Sequence, residues 1–272
     1  MSKVWFITGV SRGFGREWAL AALERGDRVA GTARDLATLD DLVAKYPETF
    51  LPLRLDVTDR DGDFAAVAEA ARRFGRLDVV VNNAGYGQFG MIEELTEDEA
   101  RAQLETNVFG ALWVTQAALP IMRAQGSGHI IQVSSIGGIS AFPNIGAYHA
   151  SKWALEGFSQ ALSHEVAGFG IHVTLIEPGG FDTDWAGPSA RHSTPNPAYD
   201  EVRAARNRTR AAQRRGEPTA TRTAILAVVD ADHPPLRTFL GEAPLAIATA
   251  DYESRLAQWH EWQPIAAAAQ GN

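Results

Sequence analysis

The 272-residue chain contains no cysteine. That absence excludes disulfides, thiolate nucleophiles and any zinc site that needs sulfur, leaving only oxygen and nitrogen ligands for a metal. Positive charge is scarce: 25 Lys and Arg stand against 33 Asp and Glu, a formal net charge of -8. Such a chain has no general attraction for nucleic acid or for an anionic membrane, so neither is expected as a partner. Long hydrophobic runs are missing as well. The apolar stretch Val4-Trp5-Phe6-Ile7 is far too short for a signal-peptide core or a membrane span, and no later stretch is long enough. The expectation is a cytoplasmic protein whose redox chemistry, if any, comes from a bound cofactor.

What is present suffices for a large core. Hydrophobic residues make up 45% of the chain, which predicts one domain over residues 1–272 rather than two small ones. Short Val/Ile/Leu-rich runs recur at residues 3–8, 28–33, 50–56, 77–82, 128–134, 171–177 and 235–241. They read as seven buried parallel strands. Helical periodicity fills the intervals. After the first run, Gly15, Ala19, Ala22 and Leu23 share one face, and Gly26-Asp27 closes that helix. The alternation predicts an α/β Rossmann fold, a doubly wound seven-stranded parallel sheet flanked by helices, with ligands beyond the carboxyl ends of the strands.

One segment breaks the rhythm. Residues 180–221 hold several Pro and Gly, then Arg203, Arg206, Arg208, Arg210, Arg214 and Arg215. A long insertion beside the expected crevice predicts a substrate lid. Its arginines read as a solvated helix face, with contacts to a cofactor phosphate or a neighbouring subunit as the alternative.

Thr8-Gly9-Val10-Ser11-Arg12-Gly13-Phe14-Gly15 follows the first strand and opens the first helix. There a dinucleotide pyrophosphate meets backbone N–H groups and a helix N-terminus. The spacing departs from G-x-G-x-x-G because Trp18 stands where a last glycine would be. Ala33-Arg34-Asp35 ends the second strand. Arg34 and Arg12 can grip a 2′-phosphate by charge-assisted bonds, which predicts NADP(H) in preference to NAD(H). Asp35 leaves the other choice open, because a carboxylate facing the ribose favours NAD. Either arginine also reads as half of a surface salt bridge.

Tyr148 and Lys152 are four apart and share a helix face. A nearby ammonium favours phenolate over phenol and brings a tyrosine toward the working pH as an acid or base. Tyr148 would then donate a proton to a carbonyl oxygen as hydride reaches the carbon. Ser135 can donate to the developing oxyanion. A hydrolase would need a histidine base against that serine, and His149, adjacent to Tyr148, points to a different helix face. The remaining histidines, including His164, His172, His192 and His260, have no metal-binding spacing, and no metal is expected.

Taken together, the glycine loop, Asn82-Asn83-Ala84-Gly85, Asn107, Ser134-Ser135, Tyr148-x-x-x-Lys152 and Pro178-Gly179 give the chain its family likeness. It resembles the classical short-chain dehydrogenase/reductase family over about residues 3–183. The resemblance implies a catalytic set of Asn107, Ser135, Tyr148 and Lys152, with Ser135 preferred over Ser134 because it precedes Tyr148 by thirteen residues. It implies that Gly9, Ser11, Arg12, Gly13, Phe14 and Gly15 cradle the cofactor. Arg34, Asp56 and Val57 would border its adenosine, and Asn83, Ala84 and Gly85 would line it. Pro178, Gly179 and Phe181 would close the far side, and Thr183 would contact the carboxamide. Tyr148 and Lys152 would touch the cofactor too, Lys152 through the nicotinamide ribose, while the Asn107 backbone would hold a water linked to Lys152. The family commonly assembles through the helices carrying Asn107 and Tyr148, so a homodimer or homotetramer is expected.

Phe89, Met91, Ile139, Phe142, Ile145, Phe181 and Trp185 are expected around a small-molecule carbonyl or alcohol substrate, and such a rim favours an apolar or aromatic ketone over a small charged acid. The leading expectation is NADPH-dependent reduction of a ketone or aldehyde, leaning toward the carbonyl-reductase and 17-beta-hydroxysteroid-dehydrogenase-like branch. A 3-oxoacyl-thioester reductase would need a cationic entrance for a carrier's phosphate. A non-catalytic NADP(H)-sensing regulatory protein is the alternative of another class, and the intact catalytic set argues against it.

Overall fold

Strands covered by helices on both faces must be apolar along their whole length, and the runs noted above form one such sheet. The computed structural model describes residues 2–187 and 189–271. Its strands are β1 (Val4–Ile7), β2 (Arg28–Ala33), β3 (Phe50–Arg54), β4 (Val79–Asn82), β5 (Gln88–Phe89), β6 (Gly128–Val133), β7 (Ile171–Pro178), β8 (Arg191–His192) and β9 (Arg237–Leu240). Seven pair in parallel in the order β3-β2-β1-β4-β6-β7-β9. The order reverses at β1, which lies between β2 and β4, and a crevice opens at the carboxyl ends there.

Several strands are shorter than the apolar runs. Thr8 leaves β1 because its hydroxyl is taken by the Asn83 and Ala84 N–H groups, each at 3.0 Å. Asp56 leaves β3 to accept from the Thr58 N–H at 3.1 Å. The small parallel ribbon of β5 and β8 was not expected from the sequence.

Helices α1 (Gly13–Glu24), α2 (Asp40–Lys45), α3 (Arg60–Phe74), α4 (Glu97–Leu104), α5 (Gly110–Gln125), α6 (Gly146–Val166), α7 (Asp200–Ala211), α8 (Thr221–Asp230) and α9 (Ala243–Ala268) fill the intervals. Side chains alternate across β1, so Trp5 and Ile7 pack with α1 and α8 residues while Val4 and Phe6 pack with those of α3 and α5. Each such side chain stabilises the fold by roughly 1.5–3 kcal/mol relative to exposure. Trp18 explains the altered glycine motif: fully buried, it donates from Nε1 to Thr221 Oγ1 at 2.8 Å and so docks α8 onto α1. Among the described residues no helix is long and apolar enough to cross a membrane.

Candidate active site

β1 delivers the chain into a turn only glycine tolerates. Gly9 and Gly13 adopt φ of 72° and 59°, in the left-handed region. At Gly15 a Cβ would lie 2.4 Å from Asn83 Nδ2 and from the Gly9 carbonyl oxygen. Asn83 holds the loop from the end of β4, its Nδ2 donating to the Thr8 and Gly9 carbonyls at 2.9 and 3.0 Å. Arg12 precedes α1 in extended conformation and makes no side-chain cap, so the first N–H groups of α1 have no capping oxygen. An anion suits that end.

Gly9, Ser11, Arg12, Gly13 and Phe14 line a cleft of about 810 Å³; Gly15 does not line it and packs against Asn83 and the Gly9 carbonyl. Beyond β2 and β3 the same cleft meets Arg34, Asp56 and Val57. Asp35 is occupied elsewhere, its Oδ1 accepting from the Ala37 N–H at 3.1 Å in the following turn. Asn83, Ala84 and Gly85 border the cleft after β4; Pro178, Gly179, Phe181 and Thr183 border it after β7. Phe181 sets its ring edge against Phe14 at 5.1 Å, and Phe14 stacks on Trp18 at 5.4 Å. These loop and sheet-end residues thus converge with a pocket large enough for a dinucleotide, which fits the cofactor the glycine loop implies.

α6 brings Tyr148 and Lys152 into the same cleft, and Ser135 enters from the end of β6. Ser135 Oγ accepts from the Gly137 N–H at 2.9 Å, which fixes the hydroxyl in the turn. Burial pushes the Tyr148 phenol up to about 12, with a hydrogen bond to Ser135 acting in the opposite sense. Burial likewise brings Lys152 down to about 8, opposed by the Glu156 carboxylate. The Lys152 ammonium lies 5.6 Å from the centroid of the Tyr148 ring and donates to the Val133 carbonyl at 2.7 Å. Spacing alone suggested that Lys152 would dominate the titration of Tyr148. Desolvation sets the direction instead, because both side chains are buried.

Asn107 does not line the cleft. It sits in a π-helical turn (Glu105–Phe109) between α4 and α5, which accommodates a residue that is a poor helix former. Its side chain is a buried staple. Oδ1 accepts from the Tyr86 N–H at 3.1 Å, and Nδ2 donates to the Tyr86 carbonyl and to Ser151 Oγ, both at 3.0 Å. Ser151 in turn donates to the Tyr148 carbonyl at 2.7 Å, so Asn107 ties α6 to the segment after β4. Gly85 packs closely on the same staple: a Cβ there would lie 3.0 Å from Asn107 Oδ1, a tight contact that the amide would have to yield to.

A family model described as short chain dehydrogenase matches residues 3–193. The chain belongs to the short-chain dehydrogenase family. It is 41% identical over 99% of its length to all of oxidoreductase BOA17 from Botryotinia fuckeliana. It is also 41% identical, over 66% of its length and 65% of the relative's, to a 3-ketodihydrosphingosine reductase from Bacteroides thetaiotaomicron. A crystal structure of a short-chain dehydrogenase from Streptomyces avermitilis superposes with a TM-score of 0.93 at 42% identity, covering 98% of each chain. The protein is therefore an oxidoreductase of a family that uses a nicotinamide cofactor.

Within this short-chain dehydrogenase the substrate rim differs from the one expected. Phe142, Ile145, Phe181 and Trp185 line the cleft, and Trp185 packs on Tyr148 with ring centroids 4.8 Å apart. Phe89 lies behind Trp185 at 5.4 Å. Met91 is buried away from the cleft, and Ile139 packs with Ile136 and Ala248 under α9. Large apolar side chains in loops go wherever apolar partners are, and α9 offers some. His149 is held by backbone on both ring nitrogens, Nδ1 donating to the Gly137 carbonyl at 2.8 Å and Nε2 accepting from the Phe142 N–H at 2.9 Å. Burial depresses its pKa, and neither nitrogen is free to serve Ser135 as a base. Arg206 and Arg210, read from the sequence as part of a solvated face, line the cleft instead.

Proposed function

We propose that this protein reduces a ketone or aldehyde to an alcohol with NADPH, reversibly, in the cytoplasm. The observation that carries the reading is the burial of Tyr148 and Lys152, joined by half-buried Ser135, at one end of a cleft whose other end is built by the glycine loop and Arg34. The bound nicotinamide would supply the hydride. Tyr148 would hold and release the proton at the substrate oxygen. Ser135 would orient that oxygen by hydrogen bonding, and Lys152 would add positive charge beside the phenol once its ammonium turns from Val133 to the cofactor ribose. Asn107 acts as a positioning residue through Ser151.

Arg34 faces the cleft while Asp35 is tied to its own turn, which supports NADP(H) over NAD(H). Arg12, whose nearest carboxylate is Asp184 at 3.8 Å, is the second cation for the 2′-phosphate. Residues 180–221 act as a substrate lid, a role supported by Trp185, Arg206 and Arg210 lining the cleft from that segment. Exposed Trp153 and Phe158 on α6 support assembly into a homodimer or homotetramer through that helix. Similarity to a 3-ketodihydrosphingosine reductase supports a ketone with an apolar body. Arg206 and Arg210, which line the cleft from α7, favour one second reading, a 3-oxoacyl-thioester reductase with a phosphate-bearing carrier.

Oxidation of NADPH, with NADH in parallel, over ketones, aldehydes, quinones and acyl thioesters tests the proposal. Turnover of at least one carbonyl class with NADPH is expected. No turnover across the whole panel, with the cofactor bound, would leave a sensing protein as the better reading.

A further inference from the structure

The proton and hydride transfers proposed above use neither Arg206 nor Arg210. On α7, Arg203, Arg206 and Arg210 are spaced three and four apart, as residues of one helix face are, and all three are half-buried while Arg208 is exposed. Arg203 is matched by Glu94 at 2.6 Å, and Arg215 by Asp182 at 2.9 Å. Among the described residues, Arg206 and Arg210 form no ion pair, though their neighbours on the same segment do. Their guanidinium groups sit over aromatic rings instead, Arg206 over Phe142 at 4.5 Å and Arg210 over Phe89 at 5.6 Å. Burial disfavours both cations; next, Arg210 repels Arg206, and Arg215 repels Arg210. Half-buried charges without a counter-ion are unfavourable, and an anion entering the cleft relieves that.

The position of the pair says what kind of anion. Phe142 meets His149 at 5.4 Å, and His149 meets Tyr148 at 6.0 Å. Phe89 meets Trp185 at 5.4 Å, and Trp185 meets Tyr148 at 4.8 Å. Each arginine is thus separated from Tyr148 by two rings. Those rings belong to segments after β4, β6 and β7, on the other side of β1 from Arg34 and Asp56. The cationic pair therefore lies toward the reacting end of the cleft, beyond an apolar stretch.

We propose that the substrate is a carbonyl compound whose apolar or aromatic body ends in an anionic group, a carboxylate or a phosphate, bound by Arg206 and Arg210. This rests on the carbonyl-reduction reading above. Both anions accept paired N–H bonds from guanidinium, and both suit a half-buried pair of cations.

The test uses two matched pairs of probes with the full chain: an aryl ketone against the same ketone bearing a terminal carboxylate, and a 3-oxoacyl pantetheine thioester against its 4′-phosphorylated form. Binding is measured by calorimetry in the presence of NADP⁺, and kcat/KM with NADPH. At least one anionic probe should be preferred over its neutral partner by about tenfold or more, as expected of charge-assisted bonds. The pair showing the preference tells carboxylate from phosphate. The R206Q/R210Q double variant should abolish the preference, and R208Q, on the exposed face of the same helix, should keep it. Equal binding within both pairs, or a preference that survives in the double variant, overturns the proposal. Binding preference without any turnover would refute carbonyl reduction and leave the anion site standing; turnover without preference would do the reverse.

Discussion

Replacing Asn107 by alanine removes three buried hydrogen bonds at once, and their partners fare differently. The Tyr86 carbonyl keeps the Gln103 amide as a donor at 3.0 Å, and Ser151 keeps its bond to the Tyr148 carbonyl. The Tyr86 N–H loses its acceptor in the interior, at a cost of about 1–3 kcal/mol for the unmet group alone. With the two donor bonds also gone, Asn107→Ala should destabilise the fold by roughly 2–4 kcal/mol. Urea unfolding followed by tryptophan fluorescence reads this as a lower midpoint at constant slope. Turnover should fall more than cofactor affinity, because the staple steadies the first turn of α6, where Tyr148 sits, while the glycine loop is held separately by Asn83. A stability loss under about 0.5 kcal/mol, the range of an ordinary surface substitution, would refute the staple.

Arg34→Ala should raise the KM for NADPH about tenfold or more and leave that for NADH nearly unchanged; equal effects on both would show that Arg34 does not read the phosphate. Asp63 is wholly buried in α3 with neither oxygen hydrogen-bonded, and desolvation first, then repulsion from Asp59 and Asp56, raises it from 3.8 to about 8. Its folded-state pKa is above the unfolded value, so its contribution is fully favourable below pH 3.8 and is lost as pH rises through about 8. Asp63→Asn should therefore raise the melting temperature more at pH 9 than at pH 5, and a gain independent of pH would contradict the shift.

The sheet was legible because parallel strands buried on both faces leave unbroken apolar runs, as at Val79-Val80-Val81. Strand ends were less so, since Thr8 and Asp56 are drawn out of the ladder by side-chain hydrogen bonds that no run of residue types announces. The cofactor side of the cleft was readable because local chain geometry builds it, with the glycine turn beside the end of β4. The substrate side was not. The ribbon of β5 and β8 pairs Gln88 with Arg191, a contact set by how residues 180–221 fold back rather than by local pattern. A helix face of arginines looks alike whether it meets water or a cleft. The one available signal was the spacing of Arg203, Arg206 and Arg210, which puts three of the six arginines on a single face. Asn107 was found through family resemblance, but its π-helical turn and its partners Tyr86 and Ser151 emerge only when α4, α6 and the end of β4 meet.

The central claim is that Tyr148 delivers the proton. Tyr148→Phe keeps the ring that packs on Trp185 and removes only the hydroxyl. With a carbonyl found in the NADPH screen, kcat should fall by about 10²–10⁴, the range attributed to general acid catalysis, while the dissociation constant for NADPH stays within a few-fold of the parent's. A variant that keeps more than about a tenth of the parent's kcat would contradict the account, since the loss would then fall short of the smallest general-acid effect.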